Sequence, residues 1–125
     1  MAAVVARTNG CDWCAKAHSA VAEMAFRDKT MVAAVLSDLE TAPIAEPLRA
    51  TLRTLRRLTR EHRLDAADIQ ALLAIGVSRE QIGDALAVGF AFNTITRLAD
   101  AFGFVKPSSG AMEAGAKYLL ARGYR

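Results

Sequence analysis

Apolar positions along this chain recur at intervals of three and four residues and almost nowhere at intervals of two, which predicts helices and no strands. Ala, Leu, Arg and Glu dominate, and these residues lose least on entering a helix. The expected fold class is therefore all-α: a compact bundle of about six helices in one domain over residues 1–125. The first complete helix is expected from residue 11 to about 27, after the turn Asn9-Gly10 and with Asp12 where a helix start favours negative charge. Asp28-Lys29-Thr30 interrupts the pattern. A second run, "MVAAVLSDLE", reaches about residue 39 and stops before Pro43. Pro43 and Pro47 bracket a turn and the start of a basic helix that ends near Glu61-His62. Asp65 caps a short helix that Gly76 closes. Ser78, with Gln81 three residues later, makes a capping-box pattern at the head of "VSREQIGDALAVGFAFNTITRLADAFGF". Residues 105–110 read as a loop and 111–122 as a last helix. The long helix is apolar on nearly every face until Thr94, which predicts burial at the centre or between subunits, so a homo-oligomer is expected.

At 125 residues and 53% hydrophobic content the chain can bury one core. No uncharged apolar stretch approaches the ~18 residues that a membrane span needs. The opening "MAAVVARTNG" has too short an apolar run and too little charge ahead of it for a secretory signal. A cytoplasmic protein with no membrane partner is the expectation. The formal net charge of +3 is mildly basic. Its arginines gather in residues 48–63, where Leu48, Leu52, Leu55 and Leu58 recur at helical spacing and Arg49, Arg53, Arg56, Arg57 and Arg60 fill the positions between. This is an amphipathic helix with a solvated or subunit-facing basic face. Few aromatics interleave with the arginines for bases to stack on, so nucleic acid is not an expected partner.

The chain has two cysteines, and both lie in "NGCDWCAKAHSAVAEM". At about 100° per residue, Cys11, Cys14 and His18 fall at about 0°, 300° and 340° on one helix face. Unpaired N–H groups and the helix dipole favour an anion in the first turn, which predicts a lowered thiol pKa there. His18, one turn beyond Cys14, has the reach to take the proton. A sulfenic acid formed on one sulfur by a peroxide would meet the other and close a disulfide. Other readings stay open on the residues alone. Zinc or iron would find only His62 as a fourth ligand, a permanent disulfide conflicts with a reducing compartment, and an inert buried pair is ordinary for cysteine.

The segment "NGCDWCAKAHSAVA", with its C-x-x-C-x-x-x-H motif, and the segment "VSREQIGDALAVGFAFNTITRLADAFGF", with its Asn-x-x-x-Arg-Leu-Ala, resemble the carboxymuconolactone decarboxylase superfamily. The likeness is to its alkyl hydroperoxidase D (AhpD)-like, peroxidase-related branch, and together the two segments span residues 9 to 104. The resemblance implies an all-α fold, assembly into trimers or hexamers, and reduction of organic hydroperoxides by the cysteine pair. It implies Cys14 as the peroxide-attacking sulfur, Cys11 as the resolving one and His18 in the proton relay. No bound cofactor or metal is implied; electrons come from an external thiol or a dihydrolipoyl group. The family's relay also uses a glutamate twelve residues before the first cysteine, a position just before Met1 here. "MAAVVAR" resembles the second half of the helix that carries it, so an N-terminal segment is expected to be missing or the relay incomplete. Trp13 stands where the best-known members have a second histidine, as is common in peroxidase-related relatives. Glu23, twelve residues past Cys11 and ~18 Å along the axis, is too far to replace the glutamate. A small buried substrate pocket is expected from Trp13, Phe90, Phe92 and Asn93, with core packing the competing role of the two phenylalanines. The decarboxylase branch works without a cysteine pair, which argues against it.

Overall fold

A computed structural model describes residues 1–105 and 108–123, and the described chain is helical, without strands. Seven helices follow in order: α1 (Ala2–Thr8), α2 (Asp12–Phe26), α3 (Lys29–Ser37), α4 (Glu46–Glu61), α5 (Ala66–Ala74), α6 (Arg79–Ala101) and α7 (Ser109–Arg122). The one beyond the expected six is α1. Its seven residues carry no side-chain cap and no acidic residue in the first turn, only Arg7 in the last, yet Ala3, Val4, Val5 and Ala6 are buried. It packs against α2, α3, α4 and α6, so tertiary burial holds a helix too short to persist alone.

Capping decides the other boundaries. Asp28 accepts a hydrogen bond from the Met31 amide at 2.8 Å, so α3 begins at Lys29, ahead of the expected Met31. It ends at Ser37 because Asp38 turns extended and its carboxylate binds the Glu40 amide and the Thr41 hydroxyl. The expected capping box of Ser78 and Gln81 opens α6, and Asp65 caps α5 with Asp68 completing a second box. Ser108 caps α7, which therefore starts two residues before its expected place. Of the expected 105–110 loop, Lys106 and Pro107 lie outside the described residues.

Two features fix how the bundle around the cysteine segment is held. First, α6 crosses α4 at Gly89, where a Cβ would stand 3.0 Å from Leu55 Cδ2. That approach places Phe92, Thr96 and Ala99 of α6 inside the bundle. Second, Arg49 donates to the carbonyls of Leu39, Glu40, Ala42 and Ile44, tying the turn after α3 to α4. These are carbonyls that no regular element satisfies. No helix among the described residues is long and apolar enough to cross a membrane.

Candidate redox site

The turn Asn9-Gly10 delivers Cys11 to the head of α2. Gly10 adopts φ +77°, a left-handed conformation that a side chain would strain. Cys11 is the N-cap, extended at φ −80° and ψ 93°, one step outside the helix in which the sequence places it. The N-cap side chain is the one that ordinarily reaches back over the third residue of its helix. That third residue is Cys14, so the two thiols are neighbours in one buried cluster. Both cysteines are unbridged and sealed, at 1% and 0% exposure. They pack with Ala6, Ala15 and Ala99, and half-buried Trp13 lies against the same cluster.

This packing overturns the expected thiol chemistry. Burial pushes the Cys14 thiol up to about 12, and the hydrogen bond to Cys11, the charge on Cys11 and the carboxylate of Asp100 push the same way. Backbone donation at the helix start acts in the opposite direction and is the weakest influence. A helix N-terminus stabilises an anion within its first turn, but here the sulfur is enclosed by methyl groups. His18 is drawn down to about 4, first by burial and then by the positive charge of the Met1 α-amino group. Near neutrality the sealed site thus holds a protonated thiol and an uncharged imidazole. Asp100 was absent from the sequence reading; its one available signal was adjacency to Ala99 in the Arg-Leu-Ala-Asp segment.

Phe92 stands edge-on to the imidazole of His18 with ring centroids 4.4 Å apart, and it is also core, packed with Val5, Leu55 and Ala85. Trp13 meets Phe104 edge-on at 5.5 Å. The expected single pocket of Trp13, Phe90, Phe92 and Asn93 does not form. Phe90 is 76% exposed and lines an open depression of about 490 Å³ with Leu58, His62 and Leu98. The reason is rotational: residues two apart on a helix point about 200° apart, so Phe90 and Phe92 face opposite ways.

Asn93 borders that depression, but its amide is engaged inside the bundle. Its Nδ2 donates to the Gly89 carbonyl at 2.9 Å and to Thr59 Oγ1 at 3.3 Å, while its Oδ1 accepts from Asn9 Nδ2 at 2.9 Å. Asn9 Nδ2 also donates to Thr96 Oγ1 at 2.9 Å, and Thr96 donates to the Phe92 carbonyl. Asn9 is two residues before Cys11, so this network ties the cysteine turn to the middle of α6. Sequence periodicity cannot find it, because its members are brought together from α4, α6 and a turn. Glu23 lies apart from the site, lining a surface groove with Lys16 and Arg27. Among the described residues no three His, Cys, Asp or Glu side chains gather to hold a metal ion, and His62 caps the far end of α4.

No family model matches the chain, and no curated protein matches it. Among solved structures it is similar to an uncharacterized peroxidase-related protein from Silicibacter sp. TM1040, at 26% sequence identity and a TM-score of 0.79. The match covers 86% of this chain and 56% of that one, so the chain spans little more than half the length of the structure it resembles. The all-α architecture is thereby shared with a peroxidase-related protein.

Proposed function

We propose that the chain is a thiol peroxidase that reduces organic hydroperoxides through Cys14 and Cys11. The observation that carries this reading is the pair of unbridged, buried cysteines at the N-cap and third residue of α2, with His18 one turn beyond. In the proposed reaction the Cys14 sulfur, as thiolate, attacks the terminal peroxide oxygen. The O–O bond breaks, an alcohol leaves with the proton, and the sulfur becomes a sulfenic acid. The Cys11 sulfur then displaces hydroxide, forming the disulfide and water. An external thiol, of the dihydrolipoyl kind or simpler, returns two electrons and two protons. His18, uncharged while buried, is the proton acceptor once solvent reaches the site and relieves the burial that weakens it as a base. Because the sealed thiol keeps its proton, attack follows an opening of the site that admits peroxide and water. The structural neighbour is a peroxidase-related protein, which supports the same class.

The seal itself favours a second reading, a redox sensor that oxidises once and slowly. Steady-state consumption of cumene hydroperoxide with dithiothreitol separates the two: the enzyme turns over, whereas a sensor gives one equivalent. Cys14→Ser is expected to abolish turnover, and undiminished peroxide loss in that variant rules out the assignment. Cys11→Ser is expected to keep the first oxidation and stop at a sulfenic acid, trapped by dimedone and read by mass spectrometry.

A further inference from the structure

A cavity of about 290 Å³ lies between α1, α3 and α4, away from the cysteines, and three arginines line it: Arg7, Arg56 and Arg60. The other arginines of α4 are provided with partners. Arg49 has Glu46 and four carbonyls, Arg53 has Glu40 and Glu46, and Arg57 has Glu61, Asp65 and Asp68. Among the described residues no carboxylate stands within ion-pair distance of Arg7, Arg56 or Arg60. The carboxylates whose acidity Arg56 strengthens, Asp38 and Glu40, are already engaged, Asp38 by Thr41 and the Glu40 amide and Glu40 by Arg53. Ser37 adds a hydroxyl to the cavity wall. Arg56 is half-buried and Arg7 and Arg60 are exposed, so the three positive charges border one concavity that an oxyanion from solvent can enter. The planar guanidinium fork matches the oxygens of a phosphate group two at a time.

We propose that Arg7, Arg56 and Arg60 form a binding site for a phosphate-type oxyanion, free or carried as a phosphate ester on a small molecule. Carboxylates and solvated surface charge are the competing accounts. The test is thermal unfolding of the full chain in pyrophosphate, inorganic phosphate, glycerol 3-phosphate or acetate at one ionic strength, since phosphate also stabilises proteins by exclusion from their surfaces. Pyrophosphate at tenfold its Kd is expected to raise Tm by about 4 °C, saturably. The double variant Arg56→Gln/Arg60→Gln is expected to lose that rise, while Arg53→Gln, which alters a paired arginine, keeps it. Calorimetric titration of pyrophosphate into the unaltered protein gives a readout independent of the variants' folding. A free phosphate ligand is indicated if glycerol 3-phosphate binds more weakly than inorganic phosphate, and an ester if the order is reversed. Equal shifts in the double variant, equal shifts with acetate, or no heat on titration would each overturn the proposal.

Discussion

At the scale of single residues, burial decides the chemistry. His18 is held uncharged in the fold, down at about 4, below the 6.5 of an ordinary histidine. The unfolded chain therefore binds the extra proton first as pH drops, and the stability that His18 contributes is complete above about 6.5 and is lost as pH is lowered toward about 4. Denaturant titrations between pH 7 and 5 should show this slope, with about one proton taken up per molecule unfolded at pH 5, and His18→Gln should flatten it. Asn93 makes the second case. Asn93→Leu removes both ends of the amide, strands Asn9 and Thr59, and is expected to cost about 2 to 3 kcal/mol in chemical denaturation. The variant should also lose peroxidase turnover through displacement of the cysteine turn. The positions of Cys11, Cys14 and His18 on one stretch of helix were legible because the spacing is local. The protonation of Cys14 was not, since it depends on Ala99 and Asp100, which arrive from more than eighty residues away. Phe90 and Phe92 teach the opposite lesson. Their divergence follows from helical rotation alone and was open to a reading that had placed both in one pocket.

At the scale of elements, α6 offers two glycines in opposite settings. Gly83 is exposed and has open space where a Cβ would go, so Gly83→Ala is expected to gain about 0.5 to 1 kcal/mol from helix propensity. Gly89 faces Leu55, which is 1% exposed and whose Cδ2 would stand 3.0 Å from an added Cβ. Gly89→Val is expected to lose about 2 kcal/mol or more as α6 is levered off α4. Urea midpoints for the two variants, moving in opposite directions, check both. The capping residues Asp65 and Ser78 were readable because a cap and its third residue form a contact within four positions. Helix α1 was legible only through the resemblance of "MAAVVAR" to the second half of a family helix, and not from its own caps or periodicity. Its alanines and Arg7 favour a helix, but seven residues are too few to persist alone, and it packs against four neighbours.

At the scale of the whole molecule, several large apolar side chains meet solvent along α6 and just beyond it. Phe90, Leu98, Phe102 and Phe104 are about half exposed or more, with Phe102 and Phe104 stacked at 6.4 Å. Solvent-facing apolar surface of this kind is what an interface between subunits covers. We expect a homo-oligomer, a trimer or hexamer, by light scattering, weakened by Phe90→Asp; a monomeric mass at micromolar concentration contradicts it. The sequence expectation of a long helix apolar on most faces led to the same surface, because it follows from composition around one element.

The enclosure of the two sulfurs makes the chain its own clock. An alkylating reagent such as iodoacetamide meets Cys14 only while the packing of Ala6, Ala15, Ala99 and Trp13 has parted. The ratio of its labelling rate to that of an unhindered thiol counts how often the molecule breathes, in solution and without any substrate present.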